Sequence, residues 1–207
     1  MLELSLNAFI TLFVVIDPVG VATLFAALTF TETAAYRRKM ALKGTLISAT
    51  ILLSFTLSGD WLLSTLGIGL PAFRIAGGVL LFFLAIDMVL ARDSGLRSTT
   101  LRENEEAVAK QDISVFPLAI PLIAGPGALT SMLLLTGSGA DKLSATLLVV
   151  GMMLVVLLLT LGALLFAGRM MKIIGVTGSG VVSRVLGILL AALAVQFVLD
   201  GVHASFP

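Results

Sequence analysis

The sequence predicts an all-α membrane protein: six transmembrane helices in a single domain over 1–207, built as two inverted three-helix repeats. Three observations predict it. Of 207 residues, 58% are hydrophobic and only 12% are charged, with a mean hydropathy of +1.13; a soluble domain carries about 25% charged residues. Apolar stretches of bilayer-spanning length fall at roughly 4–28, 41–63, 68–91, 113–137, 143–167 and 183–203. A proline break, a span and then Arg-apolar-apolar-Gly occur twice in the same order.

The first span follows Met1-Leu2-Glu3-Leu4-Ser5, with no Lys or Arg ahead of it and no small-residue cleavage site behind it. It reads as a retained span rather than a signal peptide. Asp17-Pro18-Val19-Gly20 interrupts it near mid-depth. The second span is charge-free after Lys43 and ends at Gly59-Asp60; the third opens on Arg74-Ile75-Ala76-Gly77. In the 92–112 connection Thr100 and Glu103 have capping-box spacing, and Arg102/Glu106 and Glu106/Lys110 are i,i+4 pairs, which predicts a short surface helix or a linker. Pro117 and Pro121 make an irregular start to the fourth span, which breaks at Gly125-Pro126-Gly127. The fifth runs from Leu143 to Ala167 without a charge, and the sixth opens on Arg184-Val185-Leu186-Gly187.

The repeats cover about 1–91 and 113–207, and their landmarks keep step. Pro18 to Arg74 is 56 residues and Pro126 to Arg184 is 58; Thr23 and Ser131 each stand five residues after the proline. A unit of three spans is odd, so the second copy crosses the membrane in the opposite sense. Discontinuous helices at matching places in two inverted halves point to a transport site.

Basic residues sort between the connections. One side has Arg37, Arg38, Lys39 and Lys43, then Arg92, Arg97, Arg102 and Lys110, then Arg169, Lys172 and Arg184; the other has Arg74 and Lys142. The positive-inside rule then puts both termini outside and the three basic connections in the cytoplasm. A net charge of +1 implies no nucleic-acid partner, and the absence of cysteine excludes disulfides and thiolate metal sites. His203 is the only histidine. No zinc constellation, nucleophilic triad, Walker A sequence or Rossmann glycine pattern is present, so neither an enzyme nor a metal or cofactor is expected.

Asp17 stands ~20 Å along the first span at 1.5 Å per residue. An unpaired carboxylate at that depth costs ~2.5–3.5 kcal/mol, so it must protonate, pair or face water. Pro18 removes an intrahelical hydrogen bond, and Gly20 lets the chain open or a neighbour approach. Freed backbone ends and Asp17 together suit a small zwitterion: N–H groups take a carboxylate, and C=O groups with Asp17 take an ammonium. The plainer alternative is a proline kink that Asp17 caps. Gly125-Pro126-Gly127 offers bare backbone to an anion, or else a packing kink. Thr23, Thr130, Ser131 and the mid-depth Gln196 are candidate hydrogen-bonding ligands, with back-bonding or interhelical bonding as the alternative. Arg74 and Arg184 either snorkel from helix ends or pair with a carboxylate or the carbonyl end of a broken helix, with a gating role. Asp60, Asp87 and Asp200 read as interfacial residues near span ends.

Asp17-Pro18-Val19-Gly20, the run from Pro117 to Gly127, Arg74-Ile75-Ala76-Gly77-Gly78, and Val195-Gln196-Phe197-Val198-Leu199-Asp200-Gly201 resemble motifs of the MarC family of bacterial integral membrane proteins. The resemblance covers nearly the whole chain. It implies six spans and kinship with LysE-type transporters, and at least one relative is described as a neutral amino-acid transporter. Relatives commonly continue the first motif with an Asn and then a Pro, where this chain has Val21 and Thr23.

The expectation is therefore an inner-membrane secondary transporter of small neutral amino acids or similar metabolites, coupled to a proton or sodium gradient. Its site is expected at Asp17, Pro18, Val19, Gly20, Thr23, Gly125, Pro126, Gly127, Thr130, Ser131 and Gln196. An ion or metal-cation permease, a non-transporting membrane scaffold and an intramembrane enzyme are the alternatives. A homo-oligomer is compatible with the sequence.

Overall fold

The computed structural model describes residues 2–91, 112–136 and 142–206, and is helical in almost all of them. The helices are α1 (Leu2–Ile16), α2 (Pro18–Leu28), α3 (Ala34–Thr65), α4 (Leu70–Leu90), α5 (Pro126–Thr136), α6 (Lys142–Leu165) and α7 (Ala167–Ser205). An irregular proline segment, Ser114–Ile123, precedes α5. The surface helix expected around Thr100 and Glu103, with its charge pairs, lies outside the described residues.

Five stretches are long and apolar enough to cross a membrane: Leu2–Leu28, Ala34–Thr65, Leu70–Leu90, Leu143–Leu165 and Thr177–Ser205. The proline segment and α5, bent by 52°, make a sixth when counted as one span. The bend falls at the break between Ile123 and Pro126, and the proline segment before it is itself irregular. Pro117 and Pro121 remove two backbone donors, and Phe116 and Ile120 before them are extended rather than helical.

Two helices are longer than the apolar spans they contain. α3 starts seven residues before the predicted 41, because the Thr33 hydroxyl caps it by accepting from the Tyr36 N–H at 3.2 Å. α7 starts at Ala167, not near 183: the stretch expected to be a connection is helical up to a kink at Gly175 (φ 69°, ψ 174°). Arg169 and Lys172 end the apolar pattern there without ending the helix.

The packing joins early spans to late ones. The α1–α2 span lies against α6 and α7, the bent span lies against α3 and α4, α3 touches α6, and α4 lies along most of α7. Within residues 2–91 no two helices pack extensively on each other. The buried core gathers Leu12, Ile16, Phe25, Leu81, Leu118, Met132, Met153 and Leu190 from these elements.

The α4–α7 seam is made of small residues. A Cβ on Gly78 would stand 2.7 Å from the Ala194 carbonyl oxygen; one on Gly187, 2.8 Å from Met88 Cβ; one on Gly201, 2.7 Å from Ile75 Cγ1. The pairings run in opposite directions along the two helices, so α4 and α7 are antiparallel. Lipid tails are as apolar as leucine, so close backbone approach and dispersion, rather than water exclusion, hold such a seam.

Candidate functional site

Asp17 is the hinge of the first span. Its backbone is left-handed (φ 50°, ψ 71°), a conformation that Asp tolerates better than most residues. The ladder nonetheless passes through it. The Asp17 N–H donates to the Phe13 carbonyl at 3.0 Å, and the Val21 N–H donates to the Asp17 carbonyl at 2.9 Å. Pro18 opens α2, where a missing N–H costs nothing. Asp17 is thus a one-residue interruption between α1 and α2 within a single span, and backbone hydrogen bonds continue on both sides of it.

The carboxyl group is 1% exposed. Oδ1 accepts from the Gly20 N–H at 3.0 Å, which caps α2. Oδ2 accepts from the Ser183 hydroxyl of α7, also at 3.0 Å. The positive end of the α2 dipole adds to these two donors. The capping alternative is thus what the structure shows, and the capping carboxyl is also reached by Ser183 of another span. Gly20 is required at this point, since a Cβ there would overlap Oδ2 and stand 3.1 Å from Ser183 Oγ.

The second break is buried at Gly125 and Gly127 and exposed at Pro126. A Cβ on Gly125 would overlap the Pro121 carbonyl oxygen; one on Gly127 would stand 3.2 Å from Val15 and 2.8 Å from Leu81. Val15, two residues before Asp17, therefore packs on the second break. A small cavity of about 20 Å³ lies there, lined by Val15, Leu84, Pro121, Gly125 and Gly127 among others. That is room for about one water, and Asp17 does not line it.

The remaining candidates separate clearly. The Thr23 hydroxyl donates to its own helix at the Val19 carbonyl, 2.9 Å away. Thr130 is buried with its methyl group against Gly77. Ser131 is fully buried, and its hydroxyl has no hydrogen-bond partner among the described residues. Val19 is half-buried. Gln196 is exposed, and its amide donates to Asp200 Oδ1 at 2.7 Å on the same helix. This corrects the expectation that Gln196 faces the breaks: the i,i+4 spacing supplies a local acceptor, and the side chain turns outward to it. Arg74 is half-buried at the start of α4, and Arg184 is exposed on α7.

Each break is thus tied to the Arg-apolar-apolar-Gly motif of the other half. Asp17 is bonded by Ser183, next to Arg184; the α5 helix that follows Gly125 presses Thr130 onto Gly77, three residues after Arg74. Ser183 escaped the sequence reading, although it directly precedes a motif residue that the repeat had marked.

Comparison with known proteins fits this architecture. The family model described as "MarC family integral membrane protein" matches residues 2–206. A UPF0056 membrane protein of Archaeoglobus fulgidus is 36% identical over 194 residues, covering 94% of this chain and 90% of the relative. UPF0056 membrane protein YhcE of Escherichia coli K12 is 34% identical over 202 residues, covering 96% and 92%. UPF0056 membrane protein YvbG of Bacillus subtilis is 32% identical over 209 residues, covering 100% and 98%. No solved structure matches the chain. With a family match from end to end and relatives at this identity, the chain belongs to the MarC family of integral membrane proteins.

Proposed function

We propose that this chain is a secondary transporter of small neutral amino acids or similar small metabolites, not an enzyme, and that Asp17 is its proton- or ammonium-binding group. The observation that carries the reading is the buried Asp17 carboxyl, placed at a helix break and held jointly by its own span and by Ser183 of another. Buried ionisable groups inside spans are expensive and serve ion or substrate pathways in most membrane proteins.

The architecture favours two inverted repeats. Exchanging the halves turns the contacts of the first span with α6 and α7 into those of the bent span with α3 and α4, and maps the antiparallel α4–α7 seam onto itself. In this reading the two breaks are equivalent elements that meet near the midplane. The cavity beside the second break is too small for an amino acid, so this is a closed conformation, and transport requires the α4–α7 or α1–α5 contacts to slide. The basic connections face the cytoplasm, and both termini the periplasm.

Uptake and counterflow in proteoliposomes, over a panel of amino acids and with Asp17→Asn alongside, test the reading. Flux of alanine or glycine that competes with other small amino acids but not with metal salts is expected, with loss of pH-dependent flux in Asp17→Asn. Inhibition by metal salts alone favours a cation permease. Absence of flux for every solute favours a scaffold. Unchanged transport and pH dependence in Asp17→Asn removes the role given to Asp17.

A further inference from the structure

A second cavity lies away from both breaks. It measures about 490 Å³ and is walled by α2, the start of α3, the end of α6 and the start of α7. That volume is in the range of small-molecule sites, ~300–1,000 Å³. Its lining is divided. Phe25, Leu164, Leu165 and Phe166 supply an apolar wall; Arg37, Arg38, Arg169 and Lys172 supply four cations, with no carboxylate among the described lining residues.

Two of the cations are held in place. The Arg37 guanidinium donates through Nη2 to the Phe30 carbonyl at 3.1 Å, and its Nε is buried without a hydrogen-bond partner among the described residues. It lies against Gly168, where a Cβ would stand 3.5 Å from Nη1. Arg169 stacks its guanidinium over the Phe166 ring, 5.9 Å from the centroid, a cation–π geometry that fixes its direction. A buried N–H of a charged group with no acceptor is costly. Four cations around one cavity repel one another unless an anion sits among them.

We infer that this cavity binds the phosphate headgroup of an anionic phospholipid. Guanidinium groups match phosphate oxygens in geometry and charge, and basic pockets between helices at a membrane surface take such headgroups. The apolar wall decides for a lipid over a soluble anion. Leu165 and Phe166 are 45% and 57% exposed beside the cations, where an acyl chain would cover them. The bound lipid would bridge α2–α3 of the first half and α6–α7 of the second. The inference does not depend on what the protein carries.

The test is lipid retention by the full chain purified in detergent and read by native mass spectrometry, with dioleoyl phosphatidylglycerol or phosphatidylcholine added. Phosphatidylglycerol is expected to be retained at least fivefold better. Arg37→Gln with Arg169→Gln, and separately the exposed pair Arg38→Gln with Lys172→Gln in case the first does not fold, are each expected to cut retention about 25-fold, at roughly fivefold per cation near the surface. Lys39→Gln, which removes a neighbouring charge outside the cavity, is expected to leave it unchanged. Equal retention of both lipids, or equal loss in the Lys39 variant, overturns the inference. Displacement of phosphatidylglycerol by millimolar inorganic phosphate shows instead that the cavity takes a soluble phosphate, and overturns the lipid assignment.

Discussion

The Ser183 hydroxyl donates to Asp17 Oδ2 at 3.0 Å, joining residues 166 positions apart in the chain. This bond holds the hinge of the first span against α7, so it couples the charged break to the helix that also forms the α4 seam. Removing it leaves a buried carboxyl oxygen short of a donor. Ser183→Ala is expected to lower stability by ~1–3 kcal/mol, the cost of leaving a buried polar group unsatisfied. Thermal unfolding in detergent measures it. A change under half that figure means that Asp17 finds a replacement donor.

Gly20 and Gly151 make a paired test. A Cβ at Gly20 would overlap the Asp17 carboxyl, whereas nothing stands within 4 Å of one at Gly151. Gly20→Ala must rotate the carboxyl away from both of its donors, at an expected cost of ~1–3 kcal/mol. Gly151→Ala, on a helix interior with open space, is expected to be neutral or stabilising by up to ~1 kcal/mol. Similar effects from the two substitutions would remove the special role of Gly20.

The contact of Thr130 with Gly77 is a lock between α5 and α4. A Cβ on Gly77 would overlap Thr130 Cγ2 but would still stand 3.2 Å from Thr130 Cβ. Gly77→Ala alone is expected to destabilise by ~1–3 kcal/mol through overpacking. Thr130→Ser, which removes only the offending methyl, should recover at least half of that loss. A double-mutant cycle reads the coupling directly, and additive effects would show that the two residues do not share the contact.

Asp112 and Lys43 tie the start of the proline segment to α3. Asp112 is held at about 2, below its ordinary 3.8, chiefly by the hydrogen bond from Lys43 and then by one from Ser114. The folded value is the lower, so the interaction stabilises the fold fully above about pH 4 and is lost as pH falls through about 2. The side chains of Lys43 and Asp112 are 44% and 36% exposed, so solvent screening limits the pair to ~0.2–1 kcal/mol. Thermal midpoints taken from pH 5 down to pH 2 should fall less steeply in Lys43→Gln than in the parent. Parallel curves would mean that the pair contributes nothing.

Much of this was legible in the residue pattern, and the gaps have physical causes. Hydropathy reports what lies in lipid, so it located the spans near Leu143–Leu165 and Leu70–Leu90 closely. It does not report where helical hydrogen bonding stops, so α7 begins at Ala167 although the apolar run begins much later. Asp17 stood out because charge is rare in such a stretch. Its partner did not, because a serine among small residues carries no signal of long-range pairing. Gln196 was misplaced for the opposite reason: depth was weighed, and the acceptor four residues on, Asp200, was not.

Ser131 separates a structural hydroxyl from a functional one. It is fully buried on α5, six residues after Gly125, and its Oγ has no partner among the described residues. The group is desolvated with no partner among the described residues, so Ser131→Ala should raise stability or leave it unchanged, by up to ~1 kcal/mol. A ligand that enters between the breaks would supply the missing partner, and the same substitution should then weaken substrate affinity severalfold while the unliganded protein stays as stable as before. Thermal shift with and without alanine, alongside the apparent affinity in counterflow, reads both quantities on one variant. Loss of stability together with unchanged affinity would make Ser131 a structural residue and remove it from the transport site.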